Sequence, residues 1–419
     1  MKHGYKNNRL GWQRVAVSVM VVCAANGLFA QMTEKAGEKV AESQPTSSLD
    51  ALLDEIEQHN TFLKATKDTY EAERAGNKTG LNLSDPQVDF AHSWYNKGGD
   101  EREIEFTVTQ ELDWGVLTGR KKRTARQKNN MLDLQYRTDR NTLRLKALQE
   151  LLTLIYCDAV LQEWQARLTD ARTLSNAYAE LLGKGSVNQI EYNRTKLYCA
   201  SMEAGFGKAE TERQSVIDRL KALNGGQELV YAGLKYDAER LPENFEDWLA
   251  QAEEANPQLR YMKETVDLSR NEMKLVRTEN LPNLTVGYTT EQSPIEGKHG
   301  LVLGVSLPLW QNRNKMKQSK AAVVAAQSRE ADVRMQFYNE VAALYRKAQS
   351  LRRVADEYRQ ALETLNTPAL LRKALDEGQI NVLDYTTEMI QYNEACEQAL
   401  AAELDYQLVW AELRSYAWS

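Results

Sequence analysis

Two segments of the chain carry a leucine, a glycine and an acid at the same spacing. They are Leu182, Gly185 and Glu191 in the first segment, and Leu375, Gly378 and Asp384 in the second. Each glycine permits a left-handed helix end, and each acid follows its glycine by six residues. The acids can therefore stabilise the N-terminus of a following helix.

No residues in the sequence are arranged for catalysis. There is no phosphate-binding loop, no Gly-x-Ser-x-Gly segment and no cluster of Cys with His, and the chain has only 4 His. We therefore predict no enzymatic activity, no cofactor and no metal site. Three cysteines remain after residue 30, Cys157, Cys199 and Cys396, and an odd number gives no disulfide framework. We interpret them as small buried apolar residues; a bridge between Cys199 and Cys396 is the alternative.

The tip segments belong to a unit that the chain contains twice. In Gln87–Leu223, two strands are followed by a long helix, a glycine tip and a returning helix, and the same order repeats from Asn283. The paired landmarks are Asn60 and Asn256 (196 residues apart), Trp114 and Trp310 (196), and Gly185 and Gly378 (193). A repeat of this length predicts a duplicated structural unit. We place the first repeat at residues 31–230 and the second at residues 231–419.

Residues 1–30 have the pattern of a secretory signal peptide. Four basic residues open it: Lys2, Lys6, Arg9 and Arg14. An apolar stretch, Val15–Ala25, follows, and we expect cleavage after Ala30. Lipidation of Cys23 is an alternative, although the residue before it is not the small one that such a site requires. Loss of the four basic residues changes the net charge from −6 to −10, which argues against a nucleic-acid partner.

Four segments alternate apolar and polar residues with the period of a half-buried strand. They are Gln87–Tyr95, Arg102–Leu112, Asn283–Thr290 and Gly300–Leu309. Glycine-bearing turns, Asn96–Asp100 and Glu291–His299, join them into two hairpins. Strands of about nine to eleven residues are long enough to cross a bilayer at a tilt of ~45°. The alternative is a pair of sheets packed on a soluble core.

The longest segments are two predicted helices, Val116–Leu182 and Gln311–Leu375. At ~1.5 Å per residue each would be about 100 Å long. Their apolar residues follow a three-four spacing, which predicts coiled-coil packing. The returning helices begin near Ile190 and Val382. Pro368 should kink or break the second long helix, because an interior proline removes a backbone hydrogen bond.

Basic and aromatic residues flank the strands. The basic residues after the second strand are Arg120, Lys121, Lys122 and Arg123, and those after the fourth are Arg313, Lys315, Lys317 and Lys320. They can reach lipid headgroups, or simply be solvated at the helix start. Trp94, Trp114 and Trp310 occupy strand ends, where aromatic residues of a membrane interface are found; core packing is the alternative.

Four strands of membrane length cannot close a barrel by themselves. An open sheet edge in lipid leaves backbone groups without hydrogen bonds, which is very costly. The smallest ordinary membrane barrels have about eight strands. The sequence therefore predicts an oligomer, in which three copies would supply twelve strands and their helices would form a second tube.

This arrangement resembles the TolC-like outer-membrane efflux protein family over essentially the whole chain after residue 30. The resemblance is carried by the helix-strand-strand-helix duplication, by Ala255–Leu259 opening the second repeat, by Leu307–Trp310 closing the last strand, and by the two glycine tips with their acids. The sequence departs from the family pattern at Asn60–Leu63, which reads Asn-Thr-Phe-Leu where Asn-Pro-x-Leu is expected. Pro368 is a second departure.

The resemblance implies a mainly α protein with β structure: a trimeric α-barrel of coiled-coil helices in the periplasm, capped by a 12-stranded β-barrel in the outer-membrane lipid. It also implies a periplasmic adaptor docked on the helix tips and an inner-membrane pump that supplies the substrate. We expect the adaptor to contact Leu182, Gly185, Leu375 and Gly378, and Glu191 and Asp384 to line the entrance.

The expected function is an outer-membrane channel of a tripartite efflux system that conducts drugs, metal ions or other small solutes. A soluble periplasmic coiled-coil scaffold, with its strands forming a small lid, is the alternative. A secreted enzyme is a third class of protein, but no residue of the sequence supports it.

Overall fold

The computed structural model describes residues 48–94, 102–237, 241–293, 296–308, 310, 312, 314–364 and 367–419. The predicted signal peptide, Cys23, the turn Asn96–Asp100, Leu309 and Arg313 lie outside the described residues.

The described chain contains the predicted unit twice. The first copy consists of α1 (Leu49–His59), α2 (Thr61–Gly76), β1 (Gln87–Trp94), β2 (Arg102–Leu112), α3 (Trp114–Leu117), α4 (Arg120–Gly183) and α5 (Gln189–Leu223). The second copy consists of α6 (Phe245–Ala255), α7 (Pro257–Glu279), β3 (Asn283–Gln292), β4 (Gly297–Ser306), α8 (Lys315–Thr364), α9 (Thr367–Asp376) and α10 (Val382–Ser415). The element order is the same in both copies, apart from the short α3 and the division between α8 and α9.

The paired asparagines, Asn60 and Asn256, have the same structural role in the two copies. The side-chain oxygen of Asn60 accepts a hydrogen bond from the backbone N–H of Leu63 at 3.0 Å, and that of Asn256 accepts one from Leu259 at 3.1 Å. Both residues therefore cap the helix that leads up to the strands. Asn60 does so without the following proline, so its departure from the family pattern leaves the helix start intact.

The long helices begin later than the sequence predicted. The expected helix Val116–Leu182 is divided, because Gly119 has a left-handed backbone (φ 68°) that separates α3 from the 64-residue α4. The second long helix begins at Lys315 and is described to Thr364, and α9 is described over Thr367–Asp376. Residues 365 and 366 between them lie outside the described residues, so the break predicted at Pro368 stays a prediction.

The four strands form one antiparallel sheet in the order β1-β2-β3-β4, rather than two separate sheets. β2 pairs with β3 over Ile104–Leu112, which joins the two repeats. Strands β1 and β2 have the predicted bounds within the described residues, but β3 extends to Gln292. The prediction of Gly300–Leu309 for the fourth strand was wrong by three residues at each end, because Gly297–Gly300 pairs with Thr289–Gln292 and shortens the hairpin.

Two buried clusters join the ends of α5 and α10 to the neighbouring helices. The first lies where α1 and α5 pack on the middle of α4, around Leu53, Leu151 and Leu154. The second lies where α6 and α8 pack on the end of α10, around Val341, Trp410 and Leu413. No helix in the described part of the chain has a stretch long and apolar enough to span a membrane.

Candidate functional site

The first helix tip is a tight turn between α4 and α5. Gly185 has φ 71°, and its N–H donates to the carbonyl of Leu182 at 3.0 Å. The N–H of Ser186 reaches back to the carbonyl of Leu181 at 2.9 Å. This pair of bonds closes the helix end and requires the left-handed residue to be glycine. A Cβ on Gly185 would contact nothing within 4 Å, so the requirement comes from the backbone and not from crowding.

The second tip, between α9 and α10, closes with the same pair of backbone hydrogen bonds as the first. Gly378 has φ 70° and donates to the carbonyl of Leu375 at 3.0 Å, while Gln379 donates to that of Ala374 at 2.8 Å. Leu182 and Leu375 are both half-buried, and both glycines are exposed. The structure therefore gives the four predicted tip residues equivalent positions in two equivalent turns.

The two acids of the tips are not equivalent. Glu191 forms a reciprocal capping box: its carboxylate accepts from the N–H of Asn188 at 3.0 Å, and its own N–H donates to the side chain of Asn188 at 2.9 Å. The N–H of Asp384 donates to Asn381 in the same way, but the Asp384 carboxylate has no hydrogen bond or ion pair among the described residues. Glu191 thus has the helix-capping role, and of the two acids Asp384 is the one whose exposed carboxylate has no partner among the described residues.

The second tip has buried side chains packed against α4, whereas no residue in the first turn of α5 is buried. Val382, Tyr385 and Met389 of α10 are buried against Leu174 of α4. Burial raises the pKa of the Tyr385 hydroxyl above its usual value, so this side chain is neutral at physiological pH. The first turn of α5 has no such contact, and its Ile190 is 74% exposed. The start of α5 is therefore open for contact with another molecule.

Sequence reasoning missed four exposed apolar residues on the returning helices, Ile190 and Leu197 of α5 and Leu383 and Ile390 of α10. The members of each pair are seven residues apart and lie on one face of their helix. They are also 193 residues apart between the repeats, as the tip glycines are. An apolar side chain at the same place in both copies was the signal that could have revealed them.

Sequence reasoning also missed a polar contact of a buried arginine, which lies between α4 and α10. Arg167 of α4 is 5% exposed, pairs with Glu397 of α10 and donates to the carbonyl of Asn393 at 3.1 Å. Breaking such a pair leaves a buried charge without compensation, which is strongly destabilising. The contact therefore fixes how α10 lies along α4.

At the end of the helices next to the sheet, two of the basic residues that follow the strands form ion pairs. Lys121 pairs with Asp113 at 2.6 Å and Lys315 with Glu279 at 3.8 Å. The tryptophans differ as well: Trp94 and Trp310 are exposed, while the indole N–H of Trp114 donates to the carbonyl of Pro282 at 2.8 Å.

The register of the sheet places its apolar residues on one face. Val88, Val108, Tyr288 and Leu301 are in register across the four strands, and Val305 pairs with Leu284 on the same face. The exposed large apolar residues of this face are Val88, Phe90, Trp94, Ile104, Phe106, Val286, Tyr288, Leu301, Leu303 and Val305. The opposite face is polar, and there the hydroxyls of Thr107 and Thr289 lie 2.6 Å apart.

The described part of the chain contains no group of His, Cys, Asp and Glu side chains that could hold a metal ion. Cys157, Cys199 and Cys396 are free thiols, so the alternative of a bridge between the last two was wrong. Cys157 is buried, and burial raises the pKa of its thiol to about 11, as expected for an unreactive packing residue.

Comparison with known proteins agrees with this geometry. Residues 248–417 match the family model of the outer membrane efflux protein. The alkaline protease secretion protein AprF of Pseudomonas aeruginosa is 23% identical over 301 residues, which cover 64% of this chain and 61% of AprF. The chain thus spans less than two thirds of the length of this relative.

Solved outer-membrane channels have the same fold. The CmeC outer membrane channel of Campylobacter jejuni superposes with a TM-score of 0.70 at 12% identity, covering 92% of this chain and 93% of CmeC. The MtrE outer membrane channel of Neisseria gonorrhoeae gives a TM-score of 0.66 at 16% identity, covering 92% of this chain and 96% of MtrE. CusC, whose structures describe transmembrane channel formation, gives a TM-score of 0.71 at 15% identity, covering 88% of this chain and 92% of CusC.

Residues 248–417 therefore match an outer membrane efflux protein domain, and the resemblance of the chain to TolC-like outer-membrane efflux proteins is confirmed. The matched proteins are channels and secretion proteins rather than enzymes, in line with the prediction of no enzymatic activity.

Proposed function

We propose that the chain is the outer-membrane channel of a tripartite efflux system, and that it works as a homotrimer. The observation that carries the proposal is the four-stranded sheet, which has an exposed apolar face, a polar face and two strands, β1 and β4, at its edges. An apolar face of this size is unfavourable in water. Lipid would cover it, and pairing of β4 with β1 of the next copy would satisfy the edges.

Three copies would form a twelve-stranded barrel with its polar face toward a water-filled lumen. The long helices α4, α5, α8 and α10 would continue as a tube into the periplasm of a Gram-negative type cell. Each helix presents a narrow apolar stripe and charged faces, as required where helices pack side by side with water nearby. The soluble scaffold alternative leaves the apolar face of the sheet without a covering.

We further propose that the tips are the docking surface for a periplasmic adaptor. Leu182, Gly185, Leu375 and Gly378 would form the turns that the adaptor meets, with an inner-membrane pump behind it. The first tip also offers Ile190 as an exposed apolar contact. Asp384 would contribute three carboxylates to the entrance of the trimer and favour cations there. The solute could be a drug, a metal ion or another small molecule.

The two faces of β2 provide the experiment. Arg at Val108, on the apolar face, should destabilise the oligomer by ~2–4 kcal/mol if the site is near the bilayer midplane. Arg at the adjacent Thr107, on the polar face, is the matched control and should have a much smaller effect, because the side chain enters water. Heat resistance of the detergent-solubilised oligomer on a gel reports the difference. Equal losses for Val108→Arg and Thr107→Arg would contradict the proposed lipid face.

A further inference from the structure

A basic groove lies directly below the sheet, between the start of α4 and the end of α7. It is lined by Thr118, Gly119, Arg120, Arg123, Asn271 and Lys274, and has a volume of about 240 Å³. Arg120 follows the end of β2 by eight residues, and Lys274 precedes the start of β3 by nine. Since β2 and β3 are paired at those ends, the groove is at the boundary between sheet and helices.

The cations of this groove have no ion-pair partner in the part of the chain that the structure describes. Arg120, Arg123 and Lys274 make no ion pair with any carboxylate of the described residues, and the groove itself is lined by none. Of the other basic residues nearby on α4, Lys121 pairs with Asp113 at 2.6 Å and Lys128 with Glu272 at 3.2 Å, whereas Lys122 and Arg126 make no ion pair among the described residues. An adjoining pocket that shares Arg123 and Lys274 with the groove is lined by Glu264 and Asp267 as well.

Arg120 adds an observation of its own. Its Nε atom is buried and has no hydrogen-bond partner in the described structure. A buried donor without a partner is costly, and a guanidinium without one is more so. The described chain therefore does not supply the acceptor that this donor needs.

The backbone adds positive potential at the same place. Gly119 has no side chain to cap α4, and the first turn of this 64-residue helix contains no acid. The N-terminus of a helix carries a partial positive charge, which makes the adjacent cations unfavourable and an anion favourable. Free backbone N–H groups at a helix start are well suited to phosphate oxygens.

We propose that this groove binds the phosphate group of an anionic phospholipid in the inner leaflet of the outer membrane. The inference depends on the proposed function, because it places the sheet in the bilayer and the groove at headgroup level. Arginine donors match the geometry of phosphate oxygens, and pockets with basic side chains attract anionic headgroups. The bound lipid would fix the depth at which the barrel sits.

Native mass spectrometry of the detergent-solubilised oligomer tests the proposal. The probes are phosphatidylglycerol, phosphatidylcholine with the same acyl chains, and inorganic phosphate. We expect the wild-type oligomer to bind phosphatidylglycerol at least tenfold more tightly than phosphatidylcholine. The double variant Arg123→Gln/Lys274→Gln should lose most of this preference, because each basic residue near an anionic headgroup contributes appreciably to binding. Both side chains are exposed, so the fold should be retained.

The matched control is Lys317→Gln/Lys320→Gln at the start of α8, which removes the same charge from exposed residues of the second repeat. It should keep the preference within about twofold of wild type. Equal lipid binding by the groove variant, or an equal loss in the control, would overturn the proposal. Inorganic phosphate binding as tightly as phosphatidylglycerol would overturn the lipid as occupant and assign the groove to free phosphate. An oligomer that conducts ions but shows no lipid preference would overturn this inference alone, whereas absence of an oligomer would overturn the proposed function.

Discussion

The two helix tips have the same backbone and different surroundings. Both turn at a glycine with φ near 70° and close with the same hydrogen bonds. The second tip is attached to α4 through buried Val382 and Tyr385, while the residues at the same places in the first tip, Gln189 and Tyr192, are exposed and half-buried. Duplication has thus kept the turn and allowed the packing to diverge.

The difference suggests separate tasks for the two tips. A turn that is held by its own chain can keep its place while neighbouring copies move, whereas a turn with an open apolar side chain can bind another surface. We propose that the second tip contributes stability and that the first provides the contact surface. The acids divide the other way, since Glu191 of the first tip is used in its own helix cap, whereas the Asp384 carboxylate of the second tip has no partner among the described residues.

The largest expected difference between the tips is at the paired tyrosines. Tyr385→Ala should weaken local stability by about 3 kcal/mol, because it removes a buried aromatic ring and leaves a cavity. Tyr192→Ala should cost about 1 kcal/mol or less, because its ring is half-buried. Hydrogen exchange of the tip amides measures the local opening free energy in both variants. Similar losses at the two positions would remove the distinction between an attached and an open tip.

The glycines should show the opposite pattern, with the same effect at both tips. Gly185→Ala and Gly378→Ala should each cost about 1 kcal/mol, because alanine is strained in the left-handed region and a Cβ meets nothing within 4 Å at either site. The same exchange measurement applies. A loss confined to one variant would show that the two turns are not equivalent.

The smallest effects on stability are expected at the acids. Glu191→Ala should cost about 0.5 kcal/mol by opening a capping box, and Asp384→Ala less, because it removes only the favourable charge at a helix start. In single-channel recordings, Asp384→Ala should change cation selectivity more than Glu191→Ala does. The reason is that the Asp384 carboxylate has no partner among the described residues and can attract cations. Unchanged cation selectivity in Asp384→Ala would reduce this acid to a helix cap.

The strands and tips could be predicted because their signals are local. Alternation gave β1 and β2 to within a residue, and Leu-x-x-Gly identified both turns. The start of α4 could not be found from periodicity, because Val116 and Leu117 continue the apolar pattern and only the backbone of Gly119 ends α3. The fourth strand was misplaced because two glycines and a lysine at its start obscure the alternation.

The packing of the tips was only partly open to prediction. The second repeat has a valine at position 382 where the first repeat has a glutamine at position 189. This difference in the sequence indicates that the second returning helix starts in a more buried place than the first. The identity of its partner, Leu174, depends on how α10 lies along α4, which the buried Arg167 and Glu397 fix through tertiary contacts. No local pattern contains that information.

The central claim is that the open sheet of one chain is completed by two other copies in a membrane. The direct test is the mass of the purified protein in detergent, compared with its behaviour in plain buffer. We predict a species of three chains that requires detergent to remain in solution, because the apolar face of the sheet is exposed in a single chain. A stable monomer in buffer without detergent would contradict the account.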